Sequence, residues 1–521
     1  MRVNGFGAPG EMLSLTCSVV AAQSCAAIQV SVSDLLSPAG VIDARSIQLY
    51  VVKVWEQAGL GAYQSPAMRV PELLLKDDGH ALSDGYTRTQ CTHHWKHLLR
   101  PARFYSPPDV RLDGNVQTSL TPNQPKQLWL SVKIPLSTVP GSYAGHIEAR
   151  SLDKAFPTQR IELHLDVLPI HLLEPEQDLF IWYKGTLDCR FKQHYLPTTV
   201  FRAQLQDIYD HGFRSLSLNE SDPKRLQQAV DIAQSIGFNR NVLLSIPRPA
   251  TFQNVDFKGM TPIYYISDEI DVHDSTFVRS HVENWREAHK AHALTMCSLV
   301  HQSFARRLFD NQDIGHAPDV LSYYLPQNPG YFLAHSAFAA LRDRKTYYYW
   351  LSHMEKPNLH RVLAGVYLWK SKADGIAPYC YQHLPHWPFS PFDDFDEWEP
   401  DFHLGDERRP FKDHMTTYPA RAGSIPTIQW KGISAGIYDL RYLTTIHALL
   451  RSIEHSGAER ATRLVHEVRQ RLESFLQRVS LRSINIMSES NPEPYQELGP
   501  MHFSNFRAQL ARDIMRLQME Q

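Results

Sequence analysis

The run Tyr264-Tyr265-Ile266-Ser267-Asp268-Glu269 is short, apolar and β-prone, and it ends in two adjacent carboxylates. Residues 270–274 follow, and a helical pattern starts at Ser275. A buried strand, an acidic tip, a loop and a helix in that order match the reactive face of a (β/α)8 barrel, where strands end and loops begin. Two acids at such a tip suit cleavage of a glycosidic bond. Neighbouring carboxylates push each other's ionisation apart, which leaves one acid and one anion. Helix capping by Asp271 or Asp274 is the plainer use of acids here, but it requires neither Asp268 nor Glu269. Neighbours in a regular strand point to opposite faces. Both side chains therefore share a pocket only if the strand stops at or just before Asp268, and irregular backbone is expected there.

The elements that must position this pair follow from periodicity. Strand-like runs at 179–183, 213–218, 242–246, 264–267, 294–299, 320–325, 345–350 and 375–381 alternate with helical patterns. Eight such units close most naturally as a (β/α)8 TIM barrel. Asp222-Pro223 opens one helix and Gly237 closes it, and Val278, Val282, Trp285 and His289 share one face of another. No helix is visible in the third unit, and the fifth is short. Before the barrel, residues 1 to about 170 read as all-β. Residues 28–32, 47–54, 128–132 and 160–167 alternate with period two, and turn pairs such as Pro140-Gly141 and Asp113-Gly114 separate such runs. That pattern predicts a β-sandwich. After the barrel, apolar stripes led by Ile433, Leu464 and Phe503 predict packed helices. The expected division is an N-terminal sandwich over 1–172, a catalytic barrel over 173–425 and a helical segment over 426–521.

Composition narrows the partners. A net charge of −2 gives no basic excess for nucleic acid. No apolar run reaches membrane-spanning length and no N-terminal segment reads as a signal peptide, although the chain opens at Met1-Arg2-Val3 on what reads as mid-domain sequence. Compartment and homo-oligomerisation are left open. The six cysteines have scattered spacings and no CxxC, which reads as reduced thiols without a metal or disulfide framework. The histidine clusters His93-His94-Trp95-Lys96-His97 and His383-Leu384-Pro385-His386 lack a recognised ligand spacing, so no metal and no cofactor are expected.

A carbohydrate would need binding groups at the other strand tips. Tyr183 and Lys184 end the first strand, Asn219 the second, Tyr323 and Tyr324 the sixth, and Tyr379 and Tyr381 the eighth. A ring that stacks on a sugar face excludes water, and a phenol adds a hydrogen bond. Alternation admits one register for each neighbouring set, the sequence does not say which, and a core role stands beside the site role for every one of these residues. The loop 393–407 holds eight carboxylates in fifteen residues without Lys or Arg. It reads first as a solvated loop, and otherwise as a cleft rim with Trp387 and Trp398 covering sugar faces.

Several stretches resemble glycoside hydrolase family 123 and its uncharacterised barrel relatives. They are Val30-Ser31-Val32-Ser33-Asp34-Leu35, residues 70–75, residues 128–135 running to 140–145, Ser267-Asp268-Glu269, Asp374-Gly375 through Tyr381, Tyr418-Pro419-Ala420, residues 425–430 and Gly436-Ile437-Tyr438-Asp439. The pattern departs from the family's at Ile270, where Pro often follows the Glu, at Gln429 in place of Arg, and at Arg441 in place of an acid. Charges lost near the cleft would alter substrate contacts. The resemblance implies hydrolysis of a β-linked 2-acetamido sugar, N-acetylgalactosamine ahead of N-acetylglucosamine, by a substrate-assisted, retaining route. Glu269 would be acid and then base, a role that needs its pKa near neutrality, and Asp268 would stay ionised and orient the acetamido group. Two alternatives stand beside it. One is a glycosidase on a sugar without the acetamido group, pairing Glu269 with a carboxylate such as Glu220. The other is a non-catalytic carbohydrate-binding protein on the same scaffold.

Overall fold

The computed structural model describes residues 2–58, 67–79, 107–153, 156–245, 252, 254–270, 286, 288, 293–300, 318–325, 344–352, 355–384, 391–392, 398–400, 408–410, 414–454, 459–481 and 498–520. Eleven strands come first among them: β1 (Arg2–Gly7), β2 (Met12–Val19), β3 (Cys25–Val32), β4 (Leu35–Ser37), β5 (Gly40–Ile42), β6 (Ile47–Ala58), β7 (Ala67–Leu75), β8 (Val116–Leu120), β9 (Lys126–Lys133), β10 (Gly141–Ser151) and β11 (Gln159–Val167). They form a seven-stranded sheet ordered β1-β11-β10-β3-β8, with β4 and β5 attached, and a four-stranded sheet ordered β2-β9-β6-β7. Only β1 against β11 is parallel among these ladders. Period-two residues of both sheets meet in one apolar cluster, including Ile28 and Val30, Leu49 and Val51, Leu128 and Leu130, and Leu163 and Leu165. Met415, Tyr418 and Ile425, which follow the barrel in sequence, join that same cluster, and the Leu74 amide donates to the Pro426 carbonyl at 2.9 Å.

The second unit is a parallel eight-stranded sheet. Its strands are β12 (Asp178–Leu179), β13 (Leu216–Leu218), β14 (Asn241–Leu244), β15 (Thr261–Ser267), β16 (Leu294–Leu299), β17 (Val320–Tyr324), β18 (Lys345–Tyr349) and β19 (Gly375–Ile376). The order is β12-β19-β18-β17-β16-β15-β14-β13, so the barrel is nearly closed. Ser217 bridges the seam: its hydroxyl accepts from the Tyr183 amide at 2.7 Å and donates to the Ile181 carbonyl at 3.2 Å. Two apolar clusters define the wall. Phe180, Trp182, Leu243, Ile263, Met296, Val320, Tyr347 and Ala377 fill the inside. Leu179, Ile181, Leu244, Tyr264, Ile266, Cys297, Leu321 and Tyr348 face the helices. Strands buried on both faces are apolar throughout, and this division supplies the register that the sequence leaves open.

Helix α1 (Thr198–Asp210) and helix α2 (Pro223–Ile236) follow the first two strands, and the Asp222 carboxylate accepts from the Lys224 and Arg225 amides at the start of α2. Helix α3 (Pro357–Val362) continues through a wide turn at Leu363–Tyr367 into Leu368–Ser371. The helix expected to carry Val278, Val282, Trp285 and His289 lies outside the described residues. Three C-terminal helices complete the chain among the described residues: α4 (Ile428–Glu454), α5 (Glu459–Gln477) and α6 (Pro500–Gln518). No helix among them is long and apolar enough to cross a membrane.

Helices α3 and α4 approach backbone to backbone. A Cβ at Gly432 would overlap the Pro357 carbonyl oxygen, and one at Gly436 would overlap that of Arg361. Both obstacles are main chain and cannot rotate away. Gly432→Ala is expected to cost about 1–3 kcal/mol by forcing the helices apart. A urea midpoint unchanged from wild type would refute this close packing.

Candidate active site

Ladder register explains how both acids face inward. Tyr265 pairs with Met296, but Ser267 pairs with Cys297, so the ladder slips between Tyr265 and Ser267. Met296 is inside and Cys297 outside. The slip therefore brings Asp268, the next residue, inward beside Ser298. The strand ends at Ser267, and Glu269 takes a left-handed φ of 42°, rare for a residue with a side chain. The irregular backbone expected at the tip is present, and it turns the second carboxylate to the inner side as well.

The two carboxylates meet different hydroxyls, and one serine links Asp268 to the backbone of Glu269. The Tyr265 hydroxyl donates to Asp268 Oδ1 at 2.5 Å, and the Ser298 hydroxyl donates to the same oxygen at 3.0 Å. Ser298 Oγ lies 2.6 Å from Tyr265 Oη and accepts from the Glu269 amide at 2.6 Å. The Tyr349 hydroxyl donates to Glu269 Oε1 at 2.7 Å. Burial first, and then the neighbouring carboxylate, holds the Tyr265 and Tyr349 phenols well above the ordinary range, so both remain hydrogen-bond donors at any working pH.

The surrounding rings follow from the same parity. Trp182 meets Tyr265 edge-on with centroids 4.6 Å apart. Lys184, two residues beyond Trp182, has its ammonium 5.7 Å from the Trp182 ring and 5.6 Å from the Tyr379 ring. Tyr324 lies 5.2 Å from Tyr349, ring to ring. Tyr379 is bonded through its hydroxyl to His383 Nδ1. Lys184, Tyr324 and Tyr379 are thus gathered at the end of the barrel that carries the pair. Asn219 is half-buried at the tip of β13, two residues past Ser217.

Three of the tyrosines expected at this site lie elsewhere. Tyr183 is buried on the helix side and donates to Gln204 Oε1 at 2.9 Å. Tyr323 is fully buried in the same outer cluster. Tyr381 also sits there and donates to Asp207 Oδ2 at 2.9 Å. For Tyr183 and Tyr323 the reason is parity: Trp182 and Lys184 take the inner positions of the first strand, and Tyr324 takes that of the sixth. Trp387 lies outside the described residues. Trp182, Tyr265, Ser298 and Tyr349 were not singled out from the sequence. Tyr349 could have been, because Tyr347 and Tyr349 share one face of a strand ending at the reactive rim.

The other carboxylate considered, Glu220, is fully buried and accepts from Thr186 Oγ1 at 2.9 Å and the Leu187 amide at 2.5 Å. Burial raises its pKa. It holds the loop after the first strand. Gln429 and Arg441 are likewise engaged away from the pair: Gln429 Nε2 donates to Glu72 Oε1 at 2.7 Å, and Arg441 donates to Glu174 Oε1 at 2.8 Å and to the Leu172 carbonyl. Among the described residues no group of three His, Cys, Asp or Glu could hold a metal ion.

No family model matches the chain, and no curated protein does. Among solved structures, a family 123 glycoside hydrolase from Clostridium perfringens is similar with a TM-score of 0.64 and 12% identity, over 99% of this chain and 95% of that one. This chain shares that hydrolase's fold. A family 39 glycoside hydrolase from Bacteroides cellulosilyticus WH2 is similar at a TM-score of 0.33 and 12% identity, over 63% of this chain and 76% of that one, too partial a likeness to weigh. At 12% identity the first likeness speaks for architecture alone.

Proposed function

We propose that this chain is a glycoside hydrolase acting on β-linked 2-acetamido-2-deoxy sugars, N-acetylgalactosamine ahead of N-acetylglucosamine, by a substrate-assisted retaining route. The observation that carries the reading is the inward convergence of Asp268 and Glu269 from consecutive positions, the Asp268 carboxylate met by the Tyr265 and Ser298 hydroxyls and the Glu269 carboxylate by the Tyr349 hydroxyl. A carboxylate anion suits Asp268, whose Oδ1 meets two hydroxyl donors. In this reading it orients the acetamido N–H while the acetamido oxygen attacks the anomeric carbon, and it stabilises the oxazolinium charge. Glu269 protonates the leaving oxygen and then takes a proton from the water that opens the ring. In this reading residues 1–172 are the sandwich domain, 173–425 the catalytic barrel with the segment after it, whose Met415, Tyr418 and Ile425 pack on the N-terminal cluster, and 426–521 the helical flank.

The test is a panel of aryl 2-acetamido-β-glycosides, with the matching thiazoline as inhibitor. Turnover blocked by the thiazoline supports substrate assistance; turnover of sugars lacking the acetamido group, indifferent to the thiazoline, contradicts it. Glu220→Gln discriminates further. It should keep kcat within about tenfold of wild type, because losing a general acid costs about 10²–10⁴-fold. A larger kcat loss in a variant that remains folded would make Glu220 the second carboxylate after all.

A further inference from the structure

We propose that Ser298 is the positioning residue that makes two adjacent acids work as a pair. This rests on the reading of Asp268 and Glu269 given above. Nothing in the sequence around residue 298 marks it: Thr295-Met296-Cys297-Ser298-Leu299 reads as an ordinary buried strand. In the fold its hydroxyl touches both acids at once. It meets the Glu269 amide at 2.6 Å, Asp268 Oδ1 at 3.0 Å and Tyr265 Oη at 2.6 Å.

A hydroxyl has one proton and two lone pairs. The Glu269 amide can only donate, so Ser298 accepts there. Asp268 Oδ1 can only accept when ionised, so the Ser298 proton goes to it. The remaining lone pair faces Tyr265, whose own proton is shared between Ser298 and Asp268 Oδ1. Every donor in this cluster then has an acceptor, with Asp268 Oδ1 carrying no proton. The same atom also anchors the backbone of Glu269, whose φ of 42° is the unfavourable turn that brings the second acid inward. One side chain from the next strand thus supports the turn of one acid and the charge of the other. Ser298 is 3% exposed, so water does not readily replace it.

The effect should fall on the chemical step more than on binding. Ser298→Ala should lower kcat on an aryl 2-acetamido-β-glycoside by about 10- to 100-fold, the loss of one hydrogen bond to a charged group, with KM changed less than about threefold. Ser298→Thr keeps the hydroxyl and should recover most of the rate. In an Asp268→Asn background the Ser298→Ala loss should shrink, because the two act through one oxygen. Circular dichroism and melting temperature verify that each variant is folded. A folded Ser298→Ala enzyme with wild-type kcat overturns the inference, and so does a loss that is fully additive with Asp268→Asn and not recovered by Thr. A wild-type chain that hydrolyses no glycoside overturns the proposed function first, and this inference with it.

Discussion

Glu269→Gln is expected to lower kcat on a 2-acetamido-β-glycoside by about 10²–10⁴-fold while the sugar still binds. The amide keeps the size of the side chain and can still accept from Tyr349, now 2.7 Å from the carboxylate oxygen, so the pocket should persist. What is lost is the proton. The loss should therefore depend on the leaving group. An alkyl or sugar aglycone needs protonation as its bond breaks, whereas a dinitrophenolate leaves without it. The variant should thus be most impaired on natural-type aglycones and least on the activated aryl glycoside. Steady-state kinetics across aglycones of graded acidity give the slope. An equal loss in kcat/KM for every leaving group would remove Glu269 from the acid role, because the water step in which it acts as base is common to all aglycones and does not enter kcat/KM.

The largest effect on stability is expected at Arg507. Glu11 is fully buried and accepts from the Ala8 amide at 2.9 Å, from Tyr442 at 2.9 Å and from Arg507 at 3.0 Å. Arg507 also pairs with Asp439 at 2.6 Å, and Asp439 pairs with Arg361 at 2.5 Å. Two negative and two positive groups from the β1–β2 connection, α3, α4 and α6 thus neutralise one another out of water. Arg507→Met leaves two buried carboxylates facing one cation and should cost about 3–5 kcal/mol.

The penalty should also depend on pH. Burial raises the Glu11 pKa even with Arg507 opposing it, and removing Arg507 raises it further. A group whose folded pKa lies above its unfolded value favours the folded state at low pH, and that contribution is lost as pH rises through the folded value. The variant should therefore be less impaired near pH 5 than near pH 8. Urea titrations at the two pH values decide this, and a penalty below about 1 kcal/mol at both would show the network to be dispensable.

The barrel and its acidic tip were legible because they rest on local signals: strand and helix periods, the Asp222-Pro223 start, and carboxylates where an apolar run stops. Phase was not legible. Both faces of these strands are apolar, so Tyr183 and Lys184, or Tyr323 and Tyr324, offer no contrast to tell inside from outside. The ladder slip after Tyr265 leaves no mark in the sequence either, yet it decides where Asp268 points. Ser298 reaches the acids from the neighbouring strand β16 and Tyr349 from β18, relations that the paired, curved sheet creates and the sequence does not show. Gln429 and Arg441 looked like altered cleft residues, but their partners Glu72 and Glu174 are hundreds of positions away.

The most direct measurement is a crystal structure of the chain with a thiazoline derived from N-acetylgalactosamine, the stable mimic of the cyclic intermediate. The account predicts the inhibitor at the C-terminal mouth of the barrel, its ring nitrogen on the Asp268 carboxylate and its anomeric carbon facing Glu269. An inhibitor seated away from the two acids, or one contacting Glu269 while Asp268 points elsewhere, would contradict it.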